Sequence, residues 1–286
     1  MNQKYNIPDF AEYLNIETLK DEDILMVLYD DKSKVPLKSE PIKIGFYLLA
    51  LKLDFDDSDI YGRTDFDKTD SFLYFDAPNN TLEWDLEKPM TGYNILISSN
   101  FFDKYAKRYS FMHYNNHEAL FVRDEEKEIL LDLFEKAYSE YNNTEFSKDI
   151  VTSYANLILT YIEKFYKRQF DTRSSLYNKV VADFQKNLDA YFNDATQIKK
   201  LPTVSYFANK SNLSSNYFGD LIKHFTGKSA QNYIQDYILQ IAKSKLKQTT
   251  LSVSEIAYSL GFDYPTYFTR LFKKEVGVTP TIFRKQ

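Results

Sequence analysis

Hydrophobic positions recur at helical spacing through the last third of the chain and at strand-like spacing through its first third. Toward the carboxyl end, Val204, Phe207 and Ala208 predict the inner face of a short helix. Leu213 closes a turn, and Phe218, Leu221 and Phe225 form the stripe of a second helix. The pattern then returns with Val253, Ile256 and Ala257, then Phe262, then Phe268, Leu271 and Phe272. Between the two copies, Tyr233, Ile234, Tyr237, Ile238, Ile241, Ala242 and Leu246 predict one amphipathic helix over Ser229 to Gln248. At 1.5 Å per residue it is roughly 30 Å long.

The first third reads as strands: Ile24 to Tyr29, Ile42 to Leu53, Phe72 to Phe75, Leu82 to Leu86 and Tyr93 to Ser98. Pro, Asn and Asp separate them, and Pro78-Asn79-Asn80 suggests a hairpin turn. After Phe121 the period becomes helical. One stripe carries Leu130, Leu133, Phe134, Ala137, Tyr138 and Tyr141, and another Ile150, Tyr154, Leu157, Ile158, Tyr161 and Phe165. The polar run 171–175 is the expected linker, followed by a further amphipathic helix from Leu176 to Phe192.

The two carboxyl-terminal copies also repeat residue by residue. Tyr217, Phe218, Leu221, Lys223 and Gly227 recur fifty positions later as Tyr267, Phe268, Leu271, Lys273 and Gly277. A helix-turn-helix needs a small residue where its helices touch and, four positions on, a residue that tolerates positive φ. Ala208 and Asn212 fill these places first, Ala257 and Gly261 second. Ser214 or Ser215 is expected to cap the first reading helix and Asp263 the second, with Pro265 in its first turn. Gly227 and Gly277 stand where helices end in a left-handed residue. The linker helix approaches the ~34 Å between successive major-groove exposures on one side of B-DNA, so one chain could address two adjacent groove segments.

Charge divides the chain at the same place. From Lys199 to Gln286 there are 13 Lys and Arg against 5 Asp and Glu, a balance of +8; the preceding 198 residues hold the other 23 and 36, a balance of −13. The basic end suits phosphates and salt-dependent binding through counterion release.

Composition excludes several alternatives. The chain has 286 residues, enough for two cores, and no cysteine, which removes disulfides, thiolate catalysis and cysteine-ligated zinc. The opening MNQKYNIPDFAEYL lacks the basic-then-apolar order of a secretion signal, and the longest apolar stretch, Ile44 to Leu51, is far below the ~20 residues a bilayer needs. A cytoplasmic protein with no membrane partner is the expectation. Seven glycines form no phosphate-binding loop. His113 and His117 are spaced for one helical face, yet Tyr114-Asn115-Asn116 between them reads as a loop and no third histidine is near. The acidic run DFDDSD, 54–59, departs from calcium-loop spacing and reads as a solvated loop. Most of the 24 Tyr and 23 Phe fall at core spacing, and Trp84 is left unassigned. Neither an enzyme nor a cofactor is expected.

The stretches TVSYFANKSNLSSNYFGDLIKHFTGKS and SVSEIAYSLGFDYPTYFTRLFKKEVGVTPTIFRK, with the helix between them, resemble the carboxyl-terminal DNA-binding domain of AraC/XylS-type transcriptional regulators. The resemblance covers about Leu176 to Gln286, and the second motif is the more specific. It implies an α+β chain: residues 1–170 as an effector-sensing or dimerisation domain with a β-barrel-like (cupin-like) sheet and two following helices, then 176–286 as an all-α double helix-turn-helix domain. It further implies promoter or operator DNA, RNA polymerase, a small-molecule effector and a second copy of the chain as partners, with activation more usual than repression.

Outward-facing positions on the second reading helix are Thr266, Thr269, Arg270 and Lys273, where the resemblance also places DNA contacts. Arg270 is either a guanine reader or a phosphate clamp, or is tied up by Asp263 or Glu275. On the first helix the equivalent positions are Asn216, Gly219 and Asp220, with Lys223 beyond them. Asn216 suits adenine, Gly219 departs from the family's larger side chains, and Lys210, Lys223, Lys228 and Lys274 suit phosphate. Two other readings remain open at this level: a ligand-independent architectural DNA-binding protein, and an enzyme with a DNA-binding tail.

Overall fold

The computed structural model describes residues 4–16, 18–30, 35–54, 62–86, 89–193 and 200–286. The acidic run 55–59 lies outside them. The chain forms two compact units, Met1–Arg173 and Ser174–Gln286.

The first unit holds two sheets. In the smaller, β1 (Lys4–Tyr5) runs parallel to β3 (Ile42–Ile44), which pairs antiparallel with β6 (Thr81–Leu82). The larger has β2 (Ile24–Tyr29), β7 (Thr91–Ser98), β4 (Phe46–Leu53), β5 (Phe72–Asp76) and β8 (Leu120–Phe121) in that spatial order, all antiparallel. Helix α1 (Ile7–Tyr13) is started by a capping box between Asn6 and Asp9, and α2 (Ser99–Ala106) follows β7 directly. Helices α3 (Asp124–Asn142) and α4 (Lys148–Thr172) pack against each other and bury Leu130, Phe134 and Ala137 with Ala155, Ile158 and Ile162.

Four expectations change here, the first being that the expected strand Leu82 to Leu86 shortens to β6, Thr81–Leu82. The run Ile42 to Leu53 is not one strand: it divides at Gly45, with β3 and β4 in different sheets. Residues 78–80 do turn, with Asn79 at φ 80°, but the turn is no hairpin, because β5 and β6 also belong to different sheets. It docks instead on β3: Asn79 N–H donates to Ile44 O at 2.8 Å, and Ile44 N–H to Asn80 O at 3.0 Å. Finally, the barrel-like (cupin-like) closure does not occur among the described residues. Edge strand β8 has β5 on one side only, and its polar groups are met by helix α4. Gln169, fully buried, accepts from Phe121 N–H at 2.9 Å and donates to Ala119 O at 3.0 Å, while Arg168 donates to Phe121 O at 2.8 Å. A helix satisfies the sheet edge where a further strand would otherwise be needed.

The second unit begins with α5 (Ser174–Asn193); α4 ends at Thr172, so Arg173 alone separates the two helices along the chain. Then come α6 (Val204–Lys210), α7 (Ser215–Thr226), α8 (Ala230–Gln248), α9 (Val253–Ser259), α10 (Pro265–Val276) and α11 (Pro280–Lys285). Phe184 of α5 is the hub of the first half, its ring 5.0 Å from Phe207 and 5.2 Å from Phe218. In the second half Phe272 meets Phe268 edge-on at 5.7 Å and Phe283 edge-on at 5.4 Å. Among the described residues no helix is long and apolar enough to cross a membrane.

Candidate nucleic-acid interface

Both repeats fold as helix-turn-helix units with the same internal hydrogen bond. Leu213 N–H donates to Ala208 O at 3.0 Å, and Phe262 N–H donates to Ala257 O at 3.1 Å. Each bond spans the turn made by the positive-φ residue, Asn212 at 55° or Gly261 at 89°. Ala208 and Ala257 are fully buried, as close helix contact requires. Glycine is demanded at 261 for a second reason: a Cβ there would lie 2.6 Å from the carbonyl of Lys200.

The reading helices start differently. Ser214 caps α7, accepting from Tyr217 N–H at 3.2 Å. The expected Asp263 cap on α10 is not formed; Tyr264 occupies the N-cap with no side-chain bond, and Pro265 takes the first helical position. The second repeat has one more residue between turn and helix, which moves Asp263 out of capping register. Both helices end as expected, at Gly227 with φ 72° and Gly277 with φ 88°.

Packing sorts the faces. Helix α7 buries Tyr217, Phe218, Leu221 and Ile222; α10 buries Phe268 and Phe272, and leaves Leu271 half-buried. Asn216 and Lys223 stand exposed on α7, with Gly219 and Asp220 half-buried between them. On α10, Thr266, Arg270 and Lys273 are exposed and Thr269 is half-buried. Positions 216, 219, 220 and 223 thus match 266, 269, 270 and 273, one helical face in each repeat. Gly219 adds nothing to that face, and a Cβ built on it would meet no atom within 4 Å.

Among the described residues, no hydrogen bond or ion pair occupies the side chains of Asn216, Lys223, Arg270 or Lys273. Arg270 is therefore tied to neither Asp263 nor Glu275. Other candidate cations are engaged. Lys228 pairs with Asp236, Lys274 lies 3.0 Å from Glu275, and Lys210 sits 5.1 Å from the Tyr206 ring. Arg284 is structural: it donates to the carbonyls of Leu246 and Leu251, fastening α11 to the end of α8.

One feature of this face was not legible in the repeat. Tyr258, Tyr264 and Tyr267 are 57%, 63% and 58% exposed, and the last two rings meet edge-on at 5.8 Å. Sequence pattern treats Tyr267 as the copy of Tyr217, yet Tyr217 is buried under Tyr177. The helix that precedes the second repeat, α8, packs on α9, and Tyr267 stays in solvent.

In the first unit His113 and His117 fall in two short 3-10 turns, Ser110–His113 and Asn116–Glu118, and not on one helix face. Among the described residues no set of three His, Asp or Glu gathers as for a metal. Trp84 packs edge-on against Phe10 and Tyr13 and donates from Nε1 to Pro36 O at 2.8 Å.

Residues 207–286 match the family model described as a helix-turn-helix domain. The chain is 40% identical over 76 residues to the transcriptional regulatory protein YesN of Bacillus subtilis, which is 26% of this chain and 21% of that protein. It is 29% identical over 107 residues to the transcriptional activator RhaR of Yersinia pseudotuberculosis, 37% of this chain and 33% of that one. Among solved structures, the carboxyl-terminal domain of the response regulator yesN from Fusobacterium nucleatum aligns at 31% identity. The alignment covers 35% of this chain and 93% of that domain, with a TM-score of 0.32. The chain thus spans about a fifth to a third of the length of these curated relatives.

Proposed function

From the premise that the carboxyl-terminal unit carries an AraC-type helix-turn-helix domain, we propose that the chain is a sequence-specific DNA-binding transcriptional regulator. The observation that carries this reading is the matched pair of outward faces, Asn216 with Lys223 and Thr266, Thr269, Arg270 with Lys273. Their long polar side chains have no partner within the described protein. Helix α8, 19 residues and so about 28 Å long, joins the two helix-turn-helix repeats on a scale comparable with the groove repeat. Arg270 reads a base and Lys223 and Lys273 hold phosphates. Band-shift titration against genomic fragments, repeated at rising salt, tests it: a specific complex with a steep salt slope is expected, and no complex at low ionic strength overturns it.

In this reading residues 1–173 sense a small effector and dimerise, and promoter occupancy recruits RNA polymerase, activation being the sense suggested by the RhaR relatives. Dimerisation is supported by a stripe on α4 where Ile150 and Leu157 are 45% and 42% exposed, beside Tyr154 and a shallow groove of about 300 Å³. Leu157→Glu should convert a sedimenting dimer to monomer; an unchanged mass would remove α4 from the interface. A ligand-independent architectural role remains the alternative, and no observation favours it over sensing.

A further inference from the structure

The second reading helix begins with two phenol hydroxyls that bond to nothing among the described residues. Tyr264 holds the N-cap of α10 in extended backbone and makes no side-chain cap, and Tyr267 follows, its N–H on Tyr264 O at 3.0 Å. Both side chains are exposed, and their rings meet edge-on at an interplanar angle of 75°, so each restricts the other. The first repeat treats the same two positions differently. Ser214 stands in place of Tyr264, and its hydroxyl caps α7 by accepting from Tyr217 N–H. Tyr217 stands in place of Tyr267 and is buried, its hydroxyl bonded to that of Tyr177. The outward phenols belong to one repeat alone.

Helix geometry sets which part of a duplex these hydroxyls would meet. At 3.6 residues per turn, Thr266, Thr269, Arg270 and Lys273 span roughly 100° of α10, and Tyr267 lies about 60° beyond Arg270. That is the flank of the outward face, on the side of half-buried Leu271. A helix with its side chains is about 10 to 12 Å across and the major groove about 12 Å wide, so a helix seated there fills the groove. Side chains on the outward face then look to base edges, and those on the flank look to the sugar–phosphate wall. A phenol in that place is an uncharged donor suited to a phosphate oxygen.

We propose that Tyr264 and Tyr267 donate their hydroxyls to phosphates along one wall of the major groove, clamping the second repeat to DNA through neutral contacts that the first repeat lacks. This rests on the reading of the two outward faces as the DNA-binding surface, and adds to it a difference between the repeats. Lys223 and Lys273 hold phosphate by charge, and that hold weakens as salt competes. Neutral donors displace no counterion, so their share of the affinity persists as salt rises.

The test is binding of the full chain to a duplex recovered with it from a randomised pool, and to a scrambled duplex of the same composition. Tyr264→Phe, Tyr267→Phe and the double variant keep each ring and remove only the hydroxyl, so thermal unfolding should match the wild type. Each single change should weaken both duplexes by about five- to tenfold and leave the salt slope as it was, in contrast to Lys273→Ala. Methylphosphonate at single phosphates should locate the contacts: at one or two positions it should weaken the wild type and cost the double variant nothing further. Undiminished affinity in the phenylalanine variants, a loss confined to one duplex, or equal methylphosphonate effects in wild type and double variant overturns the proposal. Undiminished affinity together with altered transcription by purified RNA polymerase overturns it in favour of a protein partner. Failure of the wild type to retain any duplex sinks the regulator reading itself, whereas retention with full affinity in the variants sinks the clamp alone.

Discussion

The hydroxyl of Tyr177 on α5 is hydrogen-bonded to the hydroxyl of Tyr217 on the first reading helix, and both side chains are buried. The second repeat has Tyr267 in the corresponding place, 58% exposed. Helix α5 therefore fixes the back of the first reading helix through a contact the second lacks. Tyr217→Ala should cost about 3 to 5 kcal/mol, as for large aromatic truncations in a core, while Tyr267→Ala should stay within about 0.5 kcal/mol. Urea denaturation of both variants checks this, and equal losses would mean that Tyr267 is covered in solution.

Arg270→Ala should weaken a cognate site by about 1 to 3 kcal/mol and relax preference at one base pair, with a smaller effect on random DNA. Equal losses on both substrates would make Arg270 a phosphate contact. Lys273→Ala should instead weaken all sequences alike and reduce the salt slope by about 1. Competition binding with cognate and scrambled duplexes separates the two.

Stability of the first unit should pass through a minimum near neutral pH. Burial pushes the Asp76 carboxyl up to about 7, against a weaker opposing bond from Asn80, and burial pushes Lys52 down to about 7. Between the ordinary carboxylate value and 7, the folded form holds a proton on Asp76 that the unfolded form has lost, so stability falls as pH rises. Between 7 and the ordinary lysine value, the unfolded form holds a proton on Lys52 that the folded form lacks, so stability rises with pH. Asp76→Asn should flatten the lower arm and Lys52→Met the upper one. A denaturation midpoint that is level from pH 5 to 9 in the wild type would contradict both assignments.

Arg173 and Asp67 form a buried ion pair at 2.6 Å, their side chains 4% and 2% exposed. Arg173 also reaches Gly62 O at 3.4 Å and lies 5.4 Å from the Phe121 ring, so it ties the 62–71 segment to the last residue of the unit. Asp67→Asn should cost about 3 to 5 kcal/mol by stranding the guanidinium. A loss below about 1 kcal/mol would show that water reaches the pair. Chemical denaturation with fluorescence from Trp84, in the same unit, reports it directly.

The carboxyl-terminal helices were legible because local chemistry dictates them. Period, small contact residues, left-handed turn residues and the Ser214 cap all lie within a few positions of one another. The exposed set Asn216, Lys223, Thr266, Arg270 and Lys273 followed from the same period. Elsewhere the determinants are remote in sequence. Strand β8 has two residues and is recognisable only through Gln169, 48 positions away, and α1 is too short to set up a period. The division at Gly45 depends on which strands pair, which an apolar run does not reveal. Lys52 did carry a signal, a lone charge inside the run Phe46–Leu53, but spacing alone could not show it to be buried. Asp263 missed its capping role through a one-residue change of register that looks the same in sequence either way.

The empty volume over Gly219 bears on how the proposed DNA-reading face could change. Every other position on that helix face already commits a side chain, but here a single codon change would introduce one into open solvent, with the hydrophobic interior undisturbed. Any residue but proline placed there would also favour the helix over the glycine it replaces. New operator preferences are therefore within reach of one mutational step, with no penalty in folding to hold them back.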